Sequence, residues 1–227
     1  MPPVVCFQAA VALLGRYPAL SGFDLEVGPG EIVLLRGPNG AGKTSFLRAC
    51  CGLLAVRSGR AEVLGHDLVA DRRSVRRHVG LLGHQNHLYS DLWVRDQVRF
   101  RAASAGAAPD EVAAAMERVG LEPRLWRIPT ERLSAGQRRR VALASLIVRR
   151  PRVWLLDEPH AGLDAEGRDA LDDLLVDATG AGATVLFASH ELDRAEAVAS
   201  RIVEVRGGRT TEDSGSDQTG GGRPDVG

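Results

Sequence analysis

Eight consecutive residues match the phosphate-binding pattern G-x-x-x-x-G-K-[ST], and they constrain the fold of this chain more than any other stretch. They are Gly37, Pro38, Asn39, Gly40, Ala41, Gly42, Lys43 and Thr44. Residues 31–36 form a short apolar run rich in branched side chains, which predicts a buried strand, and residues 45–54 carry apolar side chains at helical spacing. The pattern therefore joins a predicted strand to a predicted helix, which is the context it requires.

The chemistry of this loop follows from its residue types. Its glycines allow successive backbone N–H groups to point at a phosphate beside the positive end of the helix dipole, and Lys43 adds a charge for the β- and γ-phosphates. The hydroxyl of Thr44 is placed to reach Mg²⁺, and we include Ser45, the next residue, in the binding loop. The stretch predicts a nucleoside-triphosphate site, which many enzyme families share.

Composition excludes several classes of protein. The 227 residues include 29 basic and 29 acidic side chains, so the formal net charge is zero and no long-range field indicates a nucleic-acid or membrane-surface partner. Three cysteines cannot form an even disulfide framework, which indicates unpaired thiols in a reducing compartment. Outside the N-terminus the longest apolar run, residues 141–148, is far below the roughly 18 residues of a membrane span.

Polar side chains follow three further predicted strands. Gln85 follows residues 79–83, Asp157 and Glu158 end the run 153–158, and His190 follows residues 184–188. Ligand sites of α/β proteins commonly lie at such strand ends. We therefore expect Asp157 to hold Mg²⁺ and Glu158 to face an attacking water, while Ser134 is placed to cap a second helix whose N-terminus would also suit an anion.

The rest of the chain predicts one globular unit with an insertion. Residues 4–36 suggest a small hairpin-rich sheet, in which Tyr17 is either an adenine-stacking residue or a rim residue of the sheet. Residues 88–150 have a helical pattern and form the expected inserted subdomain. The domain is expected to span residues 1–206, with a last strand at 202–205, and the apolar-poor residues 207–227 are expected to be disordered.

Six motifs in a fixed order resemble those of ATP-binding-cassette (ABC) ATPases over roughly residues 4–206. They are Walker A at residues 37–44, the Q-loop residue Gln85, the signature at 133–137, Walker B at 153–158, the D-loop at 161–164 and the switch histidine His190. The resemblance implies an α/β P-loop NTPase domain of the ABC type. Such a domain has a RecA-like core, a small antiparallel β-subdomain and an inserted helical subdomain.

The resemblance also implies a composite site for ATP and Mg²⁺. Two cassettes pair head to tail, so that ATP on one Walker A is closed by the partner's signature, here Ser134, Gly136 and Gln137. Gln85 would contact Mg²⁺ or the water, Glu158 would be the general base, His190 would contact the γ-phosphate, and Asp164 would cross the dimer seam. The signature has Ala135 where glycine is commonest, and the usual stacking position falls on Leu14.

Several details are similar to the haem-exporter ATP-binding subunit of cytochrome c maturation, including the stretches 19–23, 82–85 and 133–144. This branch implies a peripheral protein at the cytoplasmic face of the cell membrane, with an integral membrane permease docked near residues 88–100 and no direct nucleic-acid contact. The alternatives are the ATPase of another ABC exporter, or a soluble ABC ATPase that acts on nucleic acid or the ribosome. An adjacent gene for a polytopic membrane protein would favour the transporter.

Overall fold

Two β-sheets organise the chain, and the computed structural model describes them within residues 1–213. The described strands, in chain order, are β1 (Val5–Leu14), β2 (Tyr17–Val27), β3 (Ile32–Arg36), β4 (Val56–Val63), β5 (His66–Asp67), β6 (Val79–Leu82), β7 (Val153–Asp157), β8 (Thr184–Ala188), β9 (Arg201–Arg206) and β10 (Arg209–Asp213). The α-helices are α1 (Lys43–Cys50), α2 (Leu68–Asp71), α3 (Val94–Ala103), α4 (Pro109–Arg118), α5 (Ala135–Ile147), α6 (Ala165–Gly180) and α7 (Leu192–Val198).

The larger sheet has the strand order β10-β9-β3-β8-β7-β6, and all its pairs are parallel except β10 with β9. Every residue of β7 and β8 is buried, as expected of parallel strands covered by helices on both faces. Because β3, β6, β7 and β8 run in the same direction, their C-terminal ends meet at one edge of the sheet. That edge carries the segments for which the sequence predicted chemistry.

The smaller sheet is antiparallel, in the order β2-β1-β4-β5, and it packs against α1. Three buried aromatic rings make this contact: Phe46 of α1 stacks on Phe23 at a centroid distance of 4.4 Å and meets Phe7 edge-on at 4.9 Å. Burial of large aromatic side chains contributes strongly to such interfaces. The small sheet therefore fixes the helix that follows the phosphate loop.

The segment between β6 and β7 leaves the sheet and returns to the neighbouring strand, since Val79 pairs with Val153. It carries α3, α4 and α5, in the region where we predicted the helical insertion. Its apolar side chains, among them Val98, Met116 and Val141, share a hydrophobic core with Leu156 of β7. The insertion is thus packed on the strand that ends in Asp157.

The chain continues as ordered structure beyond Gly207, so our expectation of disorder from that residue onward is wrong for residues 207–213. β10 pairs with β9, and β9 is not the last strand. The low apolar content of this stretch predicted disorder, but polar contacts hold the edge strand: Thr210 Oγ1 donates to Asp24 O (2.7 Å) and Arg209 Nε donates to Ser21 O (2.6 Å). The rest of the predicted tail, residues 214–227, lies outside the described residues.

No helix among the described residues is long and apolar enough to cross a membrane. The three cysteines are buried and unpaired, and burial raises the pKa of the Cys50 and Cys51 thiols.

Candidate active site

The phosphate loop lies between the C-terminal end of β3 and the first turn of α1. Lys43 is 7% exposed, and its Nζ donates to Gly37 O (2.6 Å) and Pro38 O (3.0 Å), so the loop curls around its own lysine. α1 has neither a side-chain N-cap nor an acidic residue in its first turn. Its N-terminal N–H groups and the Lys43 charge therefore combine into a site suited to an anion.

Thr44 and Asp157 bring two hard oxygen atoms together across the sheet edge. The Thr44 Oγ1 hydroxyl donates to Asp157 Oδ2 (2.9 Å), and Asp157 is only 9% exposed. Hydroxyl and carboxylate oxygens are ligands that Mg²⁺ prefers, so this donor set fits that ion. The exposed Gln85 lines a neighbouring cavity of about 500 Å³ together with both residues.

Glu158 follows Asp157 in a strained backbone conformation. Its φ of 51° lies in the left-handed region, which residues with a side chain adopt at a cost. The Glu158 N–H donates to Ala188 O (2.9 Å), and its Oε2 accepts from the His190 backbone N–H (3.0 Å). The Nε2 atom of His190 lies 3.5 Å from Glu158 Oε1, so the carboxylate and the imidazole are neighbours.

A cavity of about 400 Å³ joins these groups. It is lined by Asn39, Gly40, Ala41, Gly42, Lys43, Thr44 and Ser45 of the loop, by Asp157, Glu158 and His190 at the strand ends, and by Leu14, Tyr17, Pro18, Ala19 and His84. Tyr17 and Leu14 are the exposed large apolar side chains among these lining residues. The structure thus brings together most residues that the sequence singled out, with His84 as an addition.

Ser134, Gly136, Gln137 and Asp164 do not line that cavity. Ser134 and Gln137 form a capping box at the start of α5, in which Gln137 N donates to Ser134 Oγ (3.1 Å) and Ser134 N donates to Gln137 Oε1 (2.9 Å). A side chain at Gly136 would place its Cβ 2.6 Å from Gly162 O, so glycine allows the signature to approach the D-loop.

Asp164 is the N-cap of α6 and lines, with Gln137, a groove of about 490 Å³. Its carboxylate accepts from Arg140 Nη2 (2.6 Å) and from Gly167 N (3.0 Å), and the Arg140 contact is the main reason that the pKa of Asp164 is lowered. The D-loop aspartate is thereby kept charged and tied to the helix that carries the signature.

Two residues near the site escaped the sequence analysis. Arg139 is 3% exposed and donates to the backbone of residues 157–159, and Gly208 N donates to Ala41 O of the phosphate loop (2.7 Å). A signal existed for Arg139, because it precedes the buried Leu143 and Leu146 at helical spacing and so falls on the buried face of α5. No comparable signal marked Gly208 in its glycine-rich surroundings.

Several known proteins have sequences similar to this chain. A family profile described as ABC transporter matches residues 20–161. The cytochrome c biogenesis ATP-binding export protein CcmA of Bordetella bronchiseptica is 39% identical over 199 residues, which cover 87% of this chain and 88% of the relative. The daunorubicin resistance ATP-binding protein DrrA3 of Streptomyces coeruleorubidus is 38% identical over 223 residues, covering 93% and 69% respectively.

Solved structures show the same fold. An ATP-binding subunit of an ABC transporter superposes with a TM-score of 0.85 at 24% identity, over 92% of this chain and 89% of that one. A dimeric ATP-binding cassette in a post-hydrolysis state, bound to ADP and Pi, gives 0.81 at 22% identity over 92% and 97%. The predicted fold class, family and ATPase activity are confirmed: this chain belongs to the ABC transporter family, as an ATP-binding and ATP-hydrolysing subunit.

Proposed function

We propose that this subunit powers export through a separate integral membrane permease in cytochrome c biogenesis, with haem as the cargo. The proposed ATP hydrolysis rests on one observation. Lys43, the Thr44–Asp157 pair and the Glu158–His190 pair all line one cavity. The cargo rests on four relatives named cytochrome c biogenesis ATP-binding export protein, each 39–40% identical to this chain.

In the proposed mechanism, residues 37–45 bind the ATP phosphates through backbone N–H groups and Lys43. Thr44, Gln85 and Asp157 would hold Mg²⁺, which neutralises phosphate charge when bound. Glu158 accepts a proton from the attacking water, and the neighbouring His190 contacts the γ-phosphate. Positioning and charge neutralisation account for most of the catalysis of phosphoryl transfer, and these residue types supply both.

The second half of the proposed site comes from another cassette, arranged head to tail. Ser134, Gly136, Gln137 and Asp164 lie outside the cavity of their own chain, which supports a role on the ATP of a partner. Ser134 is exposed, and the N–H groups beyond it have no acidic side chain in the first turn of α5. We propose a second copy of this chain as the partner, with Tyr17 lying over the adenine.

The proposed permease dock is the apolar surface of residues 88–100, which begins next to Gln85. Tyr89, Trp93 and Phe100 are 50%, 44% and 53% exposed, and the rings of Tyr89 and Phe100 meet edge-on at 5.6 Å. Clustered exposed aromatic side chains are typical of interaction sites. Docking here would hold the chain at the cytoplasmic face of the membrane, with the helices of residues 88–150 as the subdomain that contacts the permease.

A second candidate is the ATPase of another exporter, which the similarity to DrrA3 favours. Both candidates would dock on the surface of residues 88–100, and they differ in the permease and in the compound that it moves. Capture of this chain from membranes, followed by identification of the permease and a haem-export assay on the complex, separates them. A permease that moves an unrelated compound would contradict the haem proposal and leave the ATPase mechanism standing.

The mechanism is tested by Glu158→Gln in the assembled complex. The amide cannot accept the proton, so we expect ATP hydrolysis to fall about 100- to 1,000-fold while ATP binding persists and a nucleotide-bound dimer accumulates. Glu191→Gln is the matched control, because Glu191 lies nearby but pairs with Arg168 instead of lining the cavity. Hydrolysis by Glu158→Gln at the parent rate would show that Glu158 is not the base.

A further inference from the structure

Arg139 makes an unusually complete set of contacts for a buried cation. It is 3% exposed and lies two residues after Gln137 on α5. Its Nε donates to Pro159 O (3.2 Å), its Nη1 to Gly83 O (2.7 Å) and Asn86 Oδ1 (3.1 Å), and its Nη2 to Asp157 O (3.0 Å) and Glu158 O (2.5 Å). A guanidinium has five N–H donors in a fixed fork, so these five acceptors use its full capacity.

Three of the acceptors are consecutive backbone carbonyls around the candidate base. The backbone of Glu158 is in the left-handed region, and such a conformation persists where its surroundings over-determine it. Arg139 holds the carbonyl of Glu158 and those of the residues before and after it. Together with the bonds from Glu158 N to Ala188 O and from His190 N to Glu158 Oε2, this side chain holds the backbone from which the Glu158 carboxylate projects.

The other two acceptors belong to the segment around Gln85. Gly83 and Asn86 flank His84 and Gln85, and Arg139 Nη1 binds both of them. The guanidinium thus joins Walker B and the Q-loop to the helix that begins at the signature. A shift of α5 would move the anchors of both segments together.

The charge of Arg139 persists despite its burial. Burial lowers its pKa to about 10, and the nearby Asp157 and Glu158 partly oppose that shift, so the group stays protonated near neutral pH. It therefore keeps all five donors. A lysine at this position would offer three donors and a glutamine two.

We infer that Arg139 is a positioning residue for ATP hydrolysis, which holds the backbone of Glu158 in its active direction and couples it to the Q-loop. This inference rests on the proposed role of Glu158. We expect substitution of Arg139 to affect turnover more than nucleotide binding, because the Lys43 contacts of the phosphate loop do not involve Arg139, and Arg139 bonds to the main-chain carbonyl of Asp157 and not to the carboxylate that meets Thr44.

The test is Arg139→Gln in the purified full-length chain, at a protein concentration at which the parent turns over ATP. We expect kcat to fall about 10- to 100-fold, as for a misplaced catalytic group, while the dissociation constant for ATP changes less than about twofold. Arg139→Lys should give an intermediate kcat, because it restores some of the donors.

Arg149→Gln is the matched control. Arg149 follows the same helix, its pKa is likewise lowered by burial, and its Nη2 donates to the carbonyls of Arg76 and Val79, away from Glu158. It should keep kcat within about twofold, since it does not touch the base. Arg149 is half-buried, so an equal loss in Arg149→Gln would mean that losing any arginine packed along α5 impairs turnover, and it would overturn the inference.

The inference also fails if Arg139→Gln keeps the parent kcat, if its ATP affinity falls as much as its turnover, or if neither Arg139 variant folds, since Arg139 would then serve folding. Glu158→Gln, measured alongside, separates the two proposals. Parent-rate hydrolysis by Glu158→Gln would remove the proposed base itself. An inactive Glu158→Gln beside a normal Arg139→Gln would overturn only the role of Arg139.

Discussion

Two helix N-termini of this chain are alike in local chemistry and differ in what surrounds them. Both α1 and α5 begin without an acidic residue in the first turn, so both suit an anion. The start of α1 faces a cavity with Asp157, Glu158 and His190, whereas Ser134 at the start of α5 is exposed and its hydroxyl accepts a hydrogen bond from Gln137 N. In the proposed function, a single chain would therefore complete one of its two anion sites and leave the other open.

The two termini also differ in what stabilises them. A capping box holds α5 with residues three positions apart, and such a cap contributes on the order of 1 kcal/mol locally. α1 has no side-chain cap and depends on distant segments, such as the bond from Gly208 N to Ala41 O. We therefore expect substitutions at distant sequence positions to disturb the phosphate loop and to leave the signature unaffected.

The largest expected effect tests whether the open site acts on another copy. Ser134→Asp keeps an N-cap oxygen for α5 but places a negative charge where the partner's γ-phosphate would lie. ATP-dependent dimerisation and hydrolysis should fall about 100-fold or more, since like charges across an interface cost several kcal/mol. Ser134→Thr, which retains both cap and hydroxyl, should stay close to the parent in both measurements.

Mixing Ser134→Asp with Lys43→Ala sharpens this test. Each variant alone spoils both sites of a symmetric dimer, but the mixed dimer joins one intact Walker A to one intact signature. Partial recovery of hydrolysis on mixing is expected. A mixture as inactive as its components would contradict the head-to-tail arrangement.

A smaller effect is expected at Gly208, where the phosphate loop meets the turn between β9 and β10. Gly207 and Gly208 both have positive φ, but a Cβ at Gly208 would lie 2.9 Å from Ala19 O, whereas one at Gly207 meets nothing within 4 Å. Gly207→Ala should lower the thermal midpoint by about 2–4 °C through backbone strain alone. Gly208→Ala should lower it further and weaken ATP binding several-fold. Equal behaviour of the two variants would mean that this contact does not support the loop.

The smallest effect concerns the open side of the cavity. If Tyr17 stacks on the adenine, Tyr17→Ala should weaken ATP binding about 3- to 10-fold, as the loss of one aromatic contact does, while Tyr17→Phe should bind like the parent. The measurement is a titration of each purified variant with ATP. Unchanged affinity of Tyr17→Ala would assign the residue to the rim of the sheet, the other interpretation that its sequence position allows.

The sequence predicted those site residues that follow the C-terminal ends of parallel strands, and the reason is geometric. Parallel neighbours β3, β6, β7 and β8 bring Lys43, Gln85, Glu158 and His190 to one edge without any knowledge of side-chain contacts. Motif order then identified the family, which neither composition nor periodicity could do.

What the sequence missed depends on backbone hydrogen bonds between distant segments. β10 is poor in apolar residues, and its low apolar content predicted a disordered tail. Its main chain nevertheless pairs with β9, and the side chains of Arg209 and Thr210 donate to carbonyls of β2. Arg139 stands in a run of three arginines, and helical spacing places it on the buried face of α5, but that spacing does not predict which groups it contacts. Four of its five acceptors are main-chain carbonyls, which any sequence would supply.

The contact between Gly208 and the phosphate loop has a consequence for the order in which the protein is made. Ala41 leaves the ribosome well before Gly208, to which it bonds in the finished fold. β3 lies between β8 and β9 in the sheet, and both of those strands are also synthesised late. The loop of a growing chain therefore lacks its neighbours until nearly the whole domain has emerged. We therefore expect nucleotide to stabilise this protein only when synthesis of the domain is almost finished, so that ATP would act on the finished fold and not on the nascent chain.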